Sequence, residues 1–351
     1  MGTQPRTTGE PVTGVHTAGE IANQVVAAAV WAPSVHNTQP WRFSAHGEQI
    51  SLVADGSRRL TVADPRGREM MISCGAALFT ARLALRALGY VPEFLLFPDP
   101  GDPMLVAELS WRGRAAPAEW EHRLFRQVPQ RRTHRGGFDP LPLPPGLLAI
   151  LRGGAQRDGA LLRVVADDGR RAALATLVET AERAQRLDRD YVRELADWVP
   201  PPWSTRRDGV PHTSYPARPG GTCPYYPGRD FAHGHGWGVA GFTGVPAPRS
   251  AGVVCLLTTG ADDPEDWVQA GQALQRVLLT CATCGVAAAL HSQPLELGWL
   301  RELVRGQVSD GGFPQLILRL GMVIQTAVSV RRLPADVLSA DAVEHQSVSG
   351  E

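Results

Sequence analysis

One pattern occurs twice in this chain, and it restricts the architecture more than any other feature. Gly75-x-Ala77-Leu78 is followed, after ten intervening residues, by Gly89; Gly271-x-Ala273-Leu274 is followed at the same interval by Gly285. Both stretches read as helices that end at glycine, the residue best suited to the left-handed turn at a helix C-terminus. Each leads into a strand-like or turn segment. With the similar element order around them, the two copies imply a diverged duplication: one αβ module present twice and packed as a single-chain pseudo-dimer. A chain of 351 residues with 43% hydrophobic side chains can build two packed halves.

The expected class is therefore α+β, with a first half at 21–115 and a second at 116–340. A polar arm (1–20) and a tail (341–351) flank them. In the first half, periodicity predicts a helix over Ile21–Trp31, stopped by Ala32-Pro33-Ser34, and a strand over Gln49–Val53. A long helix over Met71–Leu88 and β-like runs at Phe94–Phe97 and Val106–Trp111 follow. In the second, helices are expected at Trp120–Gln127 and Leu147–Arg152, then a strand at Ala160–Val165. The longest helix is expected at Ala173–Val199, with its apolar face on Leu174, Leu177, Val178, Ala181, Leu187, Tyr191, Leu195 and Trp198. A strand at Val253–Leu257, a helix at Trp267–Leu290 and a strand at Leu316–Leu320 complete it. Pro200–Ser250 follows neither period and is rich in Pro, Gly, His and aromatics, so it reads as a long lid insertion.

Charge excludes several functions. Lys plus Arg number 35 and Asp plus Glu number 35, which leaves no basic excess for a nucleic-acid surface. Every one of the 35 cations is arginine, as a GC-rich genome would favour. Without lysine there is no Schiff-base chemistry, hence no pyridoxal-phosphate enzyme, and no P-loop. Any phosphate must be held by arginine forks, backbone N–H groups or helix N-termini. Five cysteines in so long a chain do not make a disulfide framework. The N-terminal segment lacks an apolar signal core, and the apolar run Val277–Leu290 is too short to span a bilayer. A cytoplasmic protein without membrane or nucleic-acid partners is expected.

Several motifs read as decoys. Gly236-x-Gly238-x-x-Gly241 has dinucleotide spacing, but no strand precedes it and no helix follows. Cys281-x-x-Cys284 has redox spacing but lies in an apolar helix, where thiolate is disfavoured. Cys223, His233 and His235 match no zinc spacing, and a nucleophile elbow is missing. Two clusters remain. Ala32-Pro33-Ser34-Val35-His36-Asn37-Thr38-Gln39-Pro40-Trp41 is a helix end followed by short donors and acceptors, able to ring the polar edge of a flat heterocycle. An ordinary capped turn with a packed tryptophan is the alternative. Arg131-Arg132-Thr133-His134-Arg135 can grip a phosphate, or can be a solvated turn.

Together these residues resemble the nitroreductase superfamily of flavin enzymes. APSVHNTQPW at Ala32–Trp41 matches the family's APSxxNxQPW. RRTHR at Arg131–Arg135 is similar to R-x-S-x-R with Thr for Ser, and LRLG at Leu318–Gly321 and RRLP at Arg331–Pro334 complete the likeness. The two motifs fall in opposite halves and in reversed order. That arrangement resembles the actinobacterial, stress-associated FMN-binding branch, in which two nitroreductase-like halves are fused and one FMN lies between them.

The resemblance implies that Arg131, Thr133 and Arg135 approach the FMN phosphate, ribityl chain and pyrimidine edge, and that Arg331 and Arg332 complete the phosphate clamp. It implies that Pro33, Ser34, Asn37 and Gln39 face the flavin, and that the turn His291-Ser292-Gln293 approaches N5 and O4. Arg66 and Arg68 are secondary candidates. No protein acid or base is implied. The expected activity is a ping-pong hydride transfer between NAD(P)H and a small quinone-like or nitro acceptor. Two other readings stay open: an FMN-storage protein under its lid, and a biosynthetic dehydrogenase reoxidised by oxygen. The protein would act as a monomer, its pseudo-dimer complete in itself, or as a weak homodimer.

Overall fold

The structure is a computed structural model that describes residues 17–214, 221–231, 249–323 and 329–340. The first sixteen residues, the Gly236–Gly241 pattern, His233, His235 and the 341–351 tail lie outside the described residues. The elements run α1 (Ala18–Ala29), β1 (Trp41–His46), β2 (Gln49–Ala54), α2 (Arg68–Ala87), β3 (Tyr90–Leu96), β4 (Leu105–Arg114) and α3 (Glu119–Gln127). Then come β5 (Thr133–His134), α4 (Leu147–Arg157), β6 (Leu161–Val164), α5 (Asp168–Leu187), α6 (Arg189–Asp197), β7 (Thr222–Cys223) and β8 (Arg249–Ser250). The chain continues with β9 (Val253–Thr259), α7 (Pro264–Thr283), β10 (Val286–His291), α8 (Gln293–Glu296), α9 (Gly298–Gln307), β11 (Phe313–Met322) and β12 (Leu338–Ala340).

Two five-stranded sheets result, ordered β12-β1-β2-β4-β3 and β5-β10-β11-β9-β6. In each, four antiparallel strands follow one scheme. Two strands precede the long helix, two follow it, and the last is inserted between the second and the third. The fifth strand is parallel in both sheets: β12, from the C-terminal end, crosses over to pair with β1, whereas β5 pairs with β10 of its own half.

α2 and α7 are the long helices of the two schemes, and they pack against each other through the repeated glycines. A Cβ on Gly75 would lie 2.1 Å from the Val268 carbonyl oxygen; one on Gly271 would lie 2.0 Å from that of Ile72. Each glycine thus meets the residue three positions before the other glycine, a reciprocal contact that only a hydrogen in place of Cβ allows. Gly89 and Gly285 end their helices at φ +84° and +67°. One hydrophobic core spans both sheets around this crossing and includes Trp41, Phe43, Leu78, Trp111, Leu274 and Leu318.

Three departures from the sequence-based expectation have local causes. The single helix at Ala173–Val199 is two helices. Asp188 leaves helical geometry (φ −84°, ψ 112°), and its carboxylate caps α6 by accepting from the Asp190 and Tyr191 N–H groups. Leu187, counted on the apolar face, is 81% exposed at that break. The helix expected to run to Leu290 ends at Thr283; Gly285 turns the chain, and the alanine-rich Val286–His291 is a strand enclosed by β5 and β11. The third is β1, a strand absent from the expectation, in which buried Trp41 and Phe43 flank exposed Arg42.

Parts of the Pro200–Ser250 excursion are anchored. Val210, Tyr226 and Phe231 are buried, whereas Trp203 is 84% exposed. Arg58 pairs with Asp208, and Arg207 donates to the Arg331 carbonyl, while Glu194 of the preceding α6 accepts from the Thr61 hydroxyl and from the Val62 and Ala63 N–H groups.

Candidate functional site

The loop after α1 is strained and pinned. His36, Asn37 and Gln39 take φ of +46°, +56° and +51°, costly for side chains bearing a Cβ. The Gln39 N–H donates to the Ser34 hydroxyl, and the Val35 N–H donates to Ser73 Oγ on α2. Asn37 Nδ2 donates to the carbonyls of Gly209 and Val330, while its Oδ1 accepts from Arg331. Gln39, fully buried, donates to the Arg207 carbonyl and accepts from the Arg332 N–H. The amides of the motif therefore tie the loop to the excursion and to the segment leading to β12.

This loop and β5 line two neighbouring spaces. The smaller is lined by Pro33, Ser34, Asn37, Arg131, Arg132, Thr133, Arg135, Gly209, Ser329 and Arg331, among others. Four arginines converge there, and no carboxylate is among its described lining residues. Arg131 and Arg331 are each 5% exposed, and the Nε of both is buried without a hydrogen-bond partner among the described residues. Burial, reinforced by Arg132 and Arg135, lowers the Arg131 guanidinium to about 10. Burial and three neighbouring arginines hold Arg331 well below the ordinary arginine range. Unneutralised cations at such burial are costly without an anion to meet.

The larger space, about 140 Å³, far exceeds the room one water needs. It shares Pro33, Ser34, Thr133 and Arg135 with the arginine pocket. Glu69, Ile72 and Ser73 of α2, Leu274 of α7, Leu290 and His291 of β10, and Leu316 and Arg319 of β11 also line it, so both central helices and both units contribute. Arg319 Nε donates to His291 Nε2 (2.8 Å), which places the imidazole proton on Nδ1. Burial is the main cause that keeps His291 neutral and lowers Arg319 to about 10. Glu69 is raised to about 8, first by burial and then by Glu296.

Of the residues singled out from sequence, Pro33, Ser34, Asn37, Arg131, Thr133, Arg135, His291, Ser292 and Arg331 line one or both spaces. Gln39, Gln293 and Arg332 line neither. Gln39 is consumed by its bonds to the Arg207 carbonyl and the Arg332 N–H. Gln293 is buried behind the wall, donating to Glu182, and the Arg332 side chain donates to the carbonyls of Gln39 and Asp336. Arg66 pairs with Asp262, and Arg68 bonds Glu69 and the Gln315 carbonyl, so neither reaches the arginine pocket. The Cys281 thiol is pushed up by burial, and Cys284 is exposed.

Sequence reasoning passed over Arg132, His36, Glu69, Arg229 and Phe231. Arg132 and His36 stood inside the motifs already singled out. Arg229 and Phe231 belong to the aperiodic excursion, where no spacing marks them.

A protein of Mycobacterium tuberculosis provisionally named NAD(P)H nitroreductase Rv3131 is 34% identical over 303 residues, 86% of this chain and 85% of its own. The chain belongs to the nitroreductase family. A second member from that organism, provisionally named NAD(P)H nitroreductase acg, is 30% identical and covers 86% of this chain and 89% of its own. An uncharacterized M. tuberculosis protein, Rv3127, is also 30% identical, covering 85% of each. A nitroreductase with bound FMN from Desulfitobacterium hafniense aligns in structure with 60% of this chain and 94% of its own, with TM-score 0.37 and 15% identity. No family model matches the chain.

Proposed function

We propose that this nitroreductase-family chain is an FMN-dependent oxidoreductase that moves a hydride from NAD(P)H to a small organic acceptor. The observation that carries the reading is a pocket of four converging arginines, with no carboxylate among its described lining residues, that shares Pro33, Ser34, Thr133 and Arg135 with a cavity lined by both sheet units. The residues present fit FMN: the buried Nε groups of Arg131 and Arg331 need an anion, and a phosphate supplies one. Arg131, Arg132, Arg135, Arg331 and Thr133 would hold the phosphate and ribityl chain. Pro33, Ser34, His291 and Ser292 would border the ring. Bound there, FMN supplies reversible hydride acceptance at N5.

The protein's own part is positioning and electrostatics. Asn37 fixes the arm of Arg331, and Ser73 holds the loop to α2. Arg319 donates to the neutral His291 ring and to the carbonyls of Ala251 and Gly136, so its positive charge beside the cavity would favour electron-rich states of a bound ring.

The two units are read as fused, diverged copies of one module, supported by the shared strand scheme and the reciprocal glycines. The pinned loop and the arginine run each occur once, so one FMN per chain is expected, completed without a second copy. A second reading is FMN storage. It is favoured by Gly209, Val210, Pro211 and Ser214, which come from the excursion and line the arginine pocket as a cover. Anaerobic mixing of the FMN-loaded protein with NADH or NADPH separates the two: bleaching of the flavin supports the oxidoreductase, and no bleaching over minutes refutes it.

A further inference from the structure

Among the described residues, His36 lines the larger cavity with neither of its ring nitrogens hydrogen-bonded. It is 8% exposed, and both ring nitrogens are buried. Its ring meets Phe231 edge-on at 5.4 Å between centroids. Burial, then the charges of Arg229 and Arg135, hold it well below the usual histidine range, so it stands neutral with one N–H donor and one acceptor. The backbone accepts φ +46° to place it there. A strained residue that holds an unsatisfied imidazole in the wall of a cavity marks a place for a contact made by a ligand.

We propose that His36 seats the electron acceptor, donating a hydrogen bond to the oxygen of a flat aromatic substrate, a quinone or a nitroarene, beside the edge of Phe231. The inference rests on the oxidoreductase reading above and adds the acceptor's contact. For a quinone the balance is two electrons and two protons. NAD(P)H supplies both electrons and one proton as hydride by way of the cofactor, and solvent supplies the second proton. His36 polarises the oxygen and is unchanged at the end.

The test uses the FMN-loaded protein and its His36→Leu and His36→Gln variants, with flavin content per chain confirming an intact site. Bound flavin is reduced by NAD(P)H, or photochemically where nicotinamide fails, then mixed with 1,4-naphthoquinone or with ferricyanide. The expected result for His36→Leu is a roughly tenfold loss of the second-order rate constant for naphthoquinone. Reoxidation by ferricyanide, which needs no seat, stays within about twofold on the same reasoning. The Kd of 4-hydroxybenzaldehyde, read from the flavin absorbance of the oxidised protein, rises by the same factor as the naphthoquinone loss. His36→Gln, which keeps a donor, recovers most of both. If leucine unfolds the loop, His36→Phe carries the test. Unchanged naphthoquinone kinetics, equal losses with ferricyanide, or a loss confined to reduction by NAD(P)H would each overturn the proposal. Failure of NAD(P)H to reduce the flavin strikes the oxidoreductase reading alone, because photoreduction still supplies the electrons.

Discussion

Replacing Arg131 by methionine should push stability and cofactor affinity in opposite directions. The side chain is 5% exposed, has no carboxylate against it among the described residues, and keeps a proton that burial and its arginine neighbours oppose. Bringing a guanidinium from 12.5 to about 10 costs the folded, flavin-free protein about 3 kcal/mol at about 1.4 kcal/mol per pH unit. Its folded value lies below its unfolded one, so this penalty is present throughout neutral pH and fades only as pH rises through about 10. Methionine keeps most of the packed stem and removes the charge. Flavin-free Arg131→Met should therefore resist urea better than wild type by up to about 3 kcal/mol, in proportion to the same linkage. FMN, whose phosphate meets that charge in the proposed site, should bind more weakly by about 1.5–3 kcal/mol, whereas riboflavin, which has no phosphate, should bind with little change. Urea titration monitored by circular dichroism, and fluorescence titration with each flavin, check the two halves. A variant that is less stable without flavin and equally tight for FMN would refute the electrostatic account of the pocket. Arg305→Ala serves as the control, since Arg305 stacks on Phe313 and pairs with Glu302 away from both spaces.

Other outcomes follow from single contacts. Gly271→Ala should destabilise the protein by about 1–3 kcal/mol in urea, because the added methyl would lie 2.0 Å from the Ile72 oxygen. Gly19→Ala, in α1 with nothing within 4 Å, should stabilise it by about 0.5–1 kcal/mol, and equal behaviour of the two would contradict the helix crossing. Asn37→Ala should loosen FMN by about 1–2 kcal/mol in a fluorescence titration, since Arg331 and the carbonyls of Gly209 and Val330 lose their partner. Glu69, raised to about 8 in the fold, contributes stability that is fully present below its ordinary value and is lost as pH rises through about 8. Flavin-free Glu69→Gln should therefore lose less stability than wild type between pH 5 and 8; parallel curves would place the burdened carboxyl elsewhere.

The sequence revealed most where one local pattern carried one structural demand. The glycines at 75, 89, 271 and 285 each occupy a close approach or a helix end, and both were visible as a repeat. The loop at Ala32–Trp41 was legible as a polar ring of short side chains, but not which of them face inward. Asn37 and Gln39 spend their amides holding a left-handed backbone, and that is decided by carbonyls from residues 207, 209 and 330, far along the chain. β10 escaped because a strand enclosed on both sides needs no alternation, so Val286–Leu290 extends the apolar run of α7 without a change of character. The break at Asp188 escaped because the residues after it keep the helical period, and only the cap shows that a new helix starts. Arg229 was hidden for a different reason: its role comes from Glu296 and Ser292, which it meets only in the folded chain.

The central claim is the proposed single FMN between two units, its phosphate met by Arg131 and Arg331, whose buried Nε groups have no hydrogen-bond partner among the described residues. The visible absorption spectrum of the purified protein, with the released flavin identified and counted per chain, tests it most directly. The account predicts a flavin spectrum and one FMN per chain. Two per chain would contradict the single shared site, and none after incubation with excess FMN would contradict the account as a whole.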